Sequence, residues 1–215
     1  MKALRRLIFL LLAATACAAD ADALLREALA AEARLDSRRA LDLFLEADRA
    51  RPNDPLILQK IARQYSDLIV DLTDNTERKR YAQTALDYSQ RAVQLDPKNP
   101  VNVLSLAVCH GKLAVYSDTR TKLEYSRLVK EEAERALALD PGYAWAHHLL
   151  GRWHYEVAAF GPVPRFFAKV LYGGIPPASA EEGVNQLRRA TELEPGEMNH
   201  WVDLGFAYQA TGRKA

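Results

Sequence analysis

The chain has 215 residues, 49% of them hydrophobic, with 29 Lys and Arg set against 28 Asp and Glu. That balance excludes the basic excess of a typical nucleic-acid binder and gives no electrostatic reason for an acidic membrane surface as the main partner. There are only two cysteines, Cys17 and Cys109, which leaves no disulfide framework, Cys-rich zinc site or redox Cys pair once the first is removed with a leader.

The N-terminus reads as a signal peptide over residues 1–18. Lys2, Arg5 and Arg6 form a positive start, Leu7 to Ala16 is an apolar run, and Ala16-Cys17-Ala18 fits a small-x-small cleavage site. Ten apolar residues make about 15 Å of helix, roughly half of a bilayer core. The expected mature protein therefore begins near Ala19 and is exported, either periplasmic or secreted. Ala13-Ala14-Thr15-Ala16-Cys17 offers a second reading, a lipoprotein anchored through Cys17. Cys109 stands among Leu104, Leu106 and Val108, the setting of a buried, inert thiol.

Prolines 52, 97, 141 and 195 each follow a helical segment and mark a repeat. Five residues before them stand Ala47, Ala92, Ala136 and Ala190, and twelve before stand Ala40, Ala85, Val129 and Gly183. Nine residues after are Ile61, Leu106, Leu150 and Leu204; ten after are Ala62, Ala107, Gly151 and Gly205; thirteen after are the rings Tyr65, His110, His154 and Tyr208. Small residues suit close helix contacts and large ones fill the spaces between. Trp201, Leu204, Gly205 and Tyr208 reproduce the W-x2-L-G-x2-Y signature, so the chain from about 20 to 215 resembles tetratricopeptide repeats. The expected fold is all-α, a right-handed solenoid of antiparallel helix pairs, with residues 19–215 as one domain of about four and a half repeats.

The prolines are 45, 44 and 54 residues apart, longer than the common repeat of about 34. The excess falls between the two helices of each repeat, and both helices are expected to be extended. Asp74 with Glu77, Thr121 with Glu124 and Ser179 with Glu182 read as capping boxes that start the second helices. The fourth repeat carries an insertion over 160–177. Val163, Phe167, Val170 and Leu171 follow helical spacing, Phe166 widens that face, and Gly173-Gly174 and Pro176-Pro177 close the segment. A short amphipathic helix folded back on its neighbours is expected there.

Leu149, Leu150, Gly151, Arg152, Trp153 and Tyr155, followed by Phe167, Ala168, Leu171, Tyr172, Gly173, Ile175, Pro176 and Pro177, make a narrower resemblance. They are similar to the regulator of microtubule dynamics family, over the second half in detail and over the first half in periodicity. The resemblance implies elongated repeats, and a link to microtubules, mitochondria and, for one member, phospholipid. The signal peptide departs from that setting and argues against a microtubule partner.

Catalytic motifs are missing from the sequence: there is no nucleophile elbow, Walker loop, HExxH or dinucleotide fingerprint. His147 and His154 share a helix face, but Glu156, the nearest third ligand, is off it, and the ring positions of His110 and His154 point to packing. No metal or cofactor is expected. The function expected is a non-enzymatic scaffold that binds a protein or peptide on its concave surface. The alternative is an apolar-ligand or phospholipid binder that uses a groove beside the insertion. Candidate binding residues are Arg152, Phe166, Phe167, Val170 and Tyr172, where Arg152 either neutralises a carboxylate within the fold or holds an anionic group.

Overall fold

Four times the chain leaves a helix in the same way. Arg51, Asp96, Asp140 and Glu194 each donate their N–H to the carbonyl of Ala47, Ala92, Ala136 or Ala190, at 2.8–3.0 Å, and then turn out of the helix at φ between −130° and −142°. Each is the residue before a proline. The proline ring clashes with helical backbone at the preceding residue and has no N–H to continue the ladder, so the helix stops there. The four alanines have no exposed surface.

The computed structural model describes residues 20–161, 166, 168–171 and 173–212. Helices α1 (residues 20–33), α2 (Ser37–Ala50), α3 (Pro55–Leu68) and α4 (Asn75–Leu95) form one unit, Met1–Pro97. Helices α5 (Pro100–Ala114), α6 (Thr119–Leu139), α7 (Ala144–Ala158), α8 (helical residues 166 and 168–171), α9 (Ala180–Leu193) and α10 (Met198–Ala210) form a second, Lys98–Ala215. No strand occurs among the described residues. The signal-peptide reading of residues 1–18 lies outside them.

In the first unit α3 packs against both α2 and α4. Asp54 caps α3 by accepting from Leu56 and Ile57 N–H, and Pro55 opens it with the φ the first turn needs. Phe44, Ile57 and Ile61 are wholly buried, together with Ala28, Ala31, Ala40 and Ala47. Glu32 of α1 accepts from Lys60 Nζ at 2.6 Å and Gln64 Nε2 at 2.8 Å, which ties α1 to α3.

The second unit alternates α5 with α6, α6 with α7, and α7 with α9, and α10 closes on α9 and α7. The tightest contact is the α7–α9 crossing. A Cβ at Gly151 would lie 2.8 Å from Leu187 Cγ and 2.9 Å from the Gly183 carbonyl; one at Gly183 would lie 2.9 Å from the Gly151 carbonyl. Two glycines therefore let the backbones touch.

Three expectations are corrected. In the second and third repeats only the second helix is long: α4 and α6 have 21 residues, whereas α3 has 14 and α5 has 15. The apolar run after α3 turns through a 3-10 segment, Ile69–Asp71, and Leu72 becomes extended, with its carbonyl held by Arg78 Nε at 2.7 Å. Second, Thr121 and Glu124 do not cap α6. Asp118 does, accepting from the Thr121 N–H at 3.0 Å and hydroxyl at 3.1 Å, whereas Asp74 and Ser179 cap α4 and α9 as expected. Third, Gly205 is not at a close contact: a Cβ there meets nothing within 4 Å, because no described helix packs on that side of α10.

Candidate partner groove

The insertion after α7 is fixed at its return. Gly173 and Gly174 take φ values of +78° and +94°, where a side chain would be strained, and so reverse the chain. Gly174 N–H donates to the Ala168 carbonyl at 2.9 Å, and Arg127 of α6 donates to the Gly174 carbonyl at 2.6 Å. Ile175 and Ala178 then pack on Val129, Trp153 and Val157. Trp153 is buried, and its indole N–H donates to the Ser126 carbonyl at 2.8 Å, with the Lys130 ammonium 5.8 Å from its ring centre. One tryptophan thus joins α6, α7 and the returning chain.

Among the described residues of α8 only Ala168 is buried, at 6% exposure. Phe166, Val170 and Leu171 are 62%, 63% and 62% exposed. For Phe166, Val170 and Leu171 this corrects the expectation of an apolar face folded onto neighbouring helices. Val163, Phe167 and Tyr172 lie outside the residues whose side chains are described.

Between α6 and this turn runs a groove of about 680 Å³, lined by Arg120, Leu123, Glu124, Arg127, Leu171 and Gly173. Arg120, Leu123, Glu124 and Arg127 fall at helical spacing on one face of α6, opposite Leu171 and Gly173. The lining thus offers two guanidinium groups, one carboxylate and two leucines. Sequence reasoning misses the α6 wall because it assigns Glu124 to a capping box. The spacing of Arg120, Leu123 or Glu124, and Arg127 is the signal available.

Of the expected binding residues, the structure brings Leu171's neighbours Phe166 and Val170 to the exposed side of α8, and it places Arg152 elsewhere. Arg152 Nε donates to Glu156 at 2.7 Å, and its Nη1 lies 3.9 Å from Asp203 of α10. It neutralises carboxylates within the fold. Those carboxylates, with burial opposing them, push its guanidinium above the ordinary value. The histidines are likewise engaged. His110 Nδ1 meets the buried Glu132 at 2.9 Å, His147 lies between Gln186 and the Pro141 carbonyl, and His154 Nδ1 accepts from Ser179 N–H at 3.4 Å. Burial pushes His154 below its ordinary value of 6.5. Among the described residues no group of three or more His, Cys, Asp or Glu is arranged to hold a metal, and no helix is long and apolar enough to cross a membrane. Cys109 is buried, at 1% exposure.

Residues 19–215 match the family described as regulator of microtubule dynamics protein 1-3. The chain is 32% identical to regulator of microtubule dynamics protein 3 of Xenopus laevis over 139 residues, covering 65% of this chain and 30% of that protein. It is 30% identical to protein 1 of Bos taurus over 143 residues, covering 66% and 45%. The matched segment thus spans less than half the length of these curated relatives. Among solved structures it is similar to TTC0263, a thermophilic TPR protein of Thermus thermophilus, with a TM-score of 0.70 and 19% identity, covering 90% of this chain and 84% of that one. It is also similar to MamA of Desulfovibrio magneticus, with a TM-score of 0.55 and 19% identity, covering 90% and 86%. At that identity the likeness shows the tetratricopeptide-type fold alone.

Proposed function

Because this chain belongs to the regulator of microtubule dynamics protein 1-3 family, and its fold is that of tetratricopeptide-repeat scaffolds, we propose that it is a non-catalytic scaffold for a protein or peptide partner. The partner's extended segment lies in the groove between α6 and α8. One observation carries this reading: the groove presents Arg120, Arg127 and Glu124 around Leu123 and Leu171. Charges of both signs beside leucines suit a mixed peptide, in which polar groups set the register and one apolar side chain supplies burial. The test uses peptides selected from a random library on the intact chain. Arg120→Glu together with Leu171→Ser, both exposed positions, is expected to weaken the selected peptides by tenfold or more, about 1.4 kcal/mol, without moving the melting temperature. Equal binding by the double variant would refute the groove.

A second reading rests on the exposure of Phe166, Val170 and Leu171, the last of which lines the groove with the arginines: an apolar or phospholipid ligand covers this edge. Lipid extraction followed by mass spectrometry separates the two. A stoichiometric lipid that is lost in Leu171→Ser would favour the second reading over the peptide.

The names of the relatives tie them to microtubule dynamics. For this chain we propose an exported setting and a different partner, on the strength of the leader-like residues 1–18. Intact-mass measurement of the native protein is expected to give a chain beginning near Ala19. A retained Met1 would refute export by this route, and a diacylglyceryl group on Cys17 would replace free secretion with anchoring.

A further inference from the structure

Helix α10 is fixed from behind and bare in front. His200, Asp203, Leu204 and Ala207 are buried. His200 Nδ1 lies 3.0 Å from His148 Nδ1 of α7, and its Nε2 lies 3.6 Å from Oε2 of Glu194 at the end of α9. Asp203 Oδ2 lies 3.1 Å from His148 Nε2, and Asp203 Oδ1 accepts from the Tyr155 hydroxyl at 3.1 Å. These contacts set which side of α10 faces outward. That side carries Met198, Trp201, Val202 and Phe206, which are 71%, 50%, 49% and 51% exposed, with Gly205 among them and Gln209 at the end. The one carboxylate of α10, Asp203, is turned away from it, and α10 has no Lys, Arg or Glu. Among the described residues nothing stands within 4 Å of a Cβ at Gly205.

The same face on α7 shows what kind of cover fits. Counted from the prolines, Ala144, His147, His148, Gly151, Arg152 and Tyr155 hold the positions of Met198, Trp201, Val202, Gly205, Phe206 and Gln209. On α7 that face is covered by helices. His147 Nδ1 lies 2.6 Å from Gln186 of α9, and a Cβ at Gly151 would lie 2.8 Å from Leu187 Cγ of the same helix. His148 and Arg152 reach α10. The glycine is the point of closest approach, so a helix crossing there is the cover this face is shaped for. On α10 the neighbouring positions are uncharged, and a charged partner would lose hydration without finding a counter-charge.

The face also matches itself when reversed. On an antiparallel copy of α10, Met198 stands level with Gln209, Trp201 with Phe206, and Val202 with Gly205. The branched Val202 thus comes to the notch that Gly205 leaves. Opposite charges come to the same end of such a pair. Arg188 Nη2 of α9 reaches the Tyr208 hydroxyl at 3.4 Å, and Glu197 accepts from the Asn199 N–H at 3.1 Å. Tyr208 of one copy is level with Asn199 of the other, so the guanidinium and the carboxylate share a level. A parallel pair would set each at the level of its like.

We infer that two copies of this chain associate through α10, antiparallel, with Val202 of each at Gly205 of the other. The area sets the strength. A half-exposed aromatic side chain offers about 100 Å², so four large side chains offer roughly 400 Å² per copy, about half of what one partner gives a standard stable interface. The dimer is therefore weak and reversible, with a Kd on the order of 10–100 µM.

The test is sedimentation of the intact chain over about 5 µM to 1 mM, which brackets that range. Monomer is expected at the low end and dimer at the high end. Val202→Lys sets two ammonium groups together at the centre of the pair and should weaken the dimer tenfold or more, with the melting temperature of the dilute protein unchanged. Phe206→Lys should act in the same direction. Val115→Lys, at a 66% exposed position on the end of α5, should leave the dimer as it was. Orientation is read by disulfide cross-linking in a Cys17→Ser background, since Cys109 is buried. A mixture of Met198→Cys and Gln209→Cys proteins should cross-link across the pair. Neither protein alone should, because eleven residues of helix hold like positions about 16 Å apart along the axis, beyond the reach of a disulfide. Monomer at every concentration, a dimer that survives Val202→Lys or is weakened equally by Val115→Lys, or cross-linking of either single protein without the mixture would each overturn the proposal.

Discussion

Gly183→Ala is expected to lower the stability of the Lys98–Ala215 unit, whereas the same change at Gly205 is expected to raise it. Two terms compete at each site. Alanine in place of glycine inside a helix gains roughly 0.5–1 kcal/mol, because less backbone freedom is lost on folding. At Gly183 the new Cβ would stand 2.9 Å from the Gly151 carbonyl oxygen and 3.1 Å from the Tyr155 nitrogen. Both are backbone atoms of α7, so no flexible side-chain end can swing aside, and the helices must separate. Overpacking of this kind costs about 1–3 kcal/mol, which exceeds the propensity gain. At Gly205 the new Cβ meets nothing within 4 Å, so only the gain remains. Urea midpoints at constant slope decide it. If the two variants move in the same direction, the α7–α9 crossing is not the tight contact described.

Trp153→Ala is expected to cost about 3–5 kcal/mol, the range for truncating a buried large aromatic. Trp153 is 5% exposed, packs with Val129, Val157, Ile175 and Ala178, and donates its indole N–H to Ser126. The alanine variant leaves the Ser126 carbonyl without that donor and removes the surface on which Ile175 and Ala178 rest. Residues 173–178 should therefore lose exchange protection, and the groove should lose its α8 wall. Trp153→Phe keeps much of the packing but not the hydrogen bond, and should fall between the two. A variant that lost stability while the 173–178 segment kept its protection would show that the return is anchored by Arg127 alone.

The repeat is legible because backbone chemistry writes it into the sequence. Proline fixes where a helix can stop, and the residue before it is driven out of helical backbone, so prolines 52, 97, 141 and 195 mark the four helix ends at Arg51, Asp96, Asp140 and Glu194. Small residues at fixed offsets mark close contacts at Ala62, Ala107 and Gly151. Gly205 has the same local signature, but among the described residues nothing stands within 4 Å of a Cβ there, and no local pattern reports that. The insertion departs from expectation for a related reason. Phe166, Val170 and Leu171 have the spacing of a buried face, but the turn is held through Ala168 and through Arg127 bonded to the Gly174 carbonyl. That bond joins residues 47 apart in the sequence, which periodicity cannot see. The groove wall on α6 and the His148–His200 contact are long-range in the same way. In the sequence His200 is one histidine among five, and only its placement against His148 and Glu194 distinguishes it.

Whether the groove between α6 and α8 receives the partner's chain is tested most directly by the amide-exchange footprint of a library-selected peptide on the intact chain. Protection is expected to rise in the first half of α6, through Arg120 to Arg127, and at residues 168–174, with the first unit and α10 unchanged. Protection gained on α10, or only within Met1–Pro97, with α6 and residues 168–174 unaffected, would contradict a partner seated in this groove.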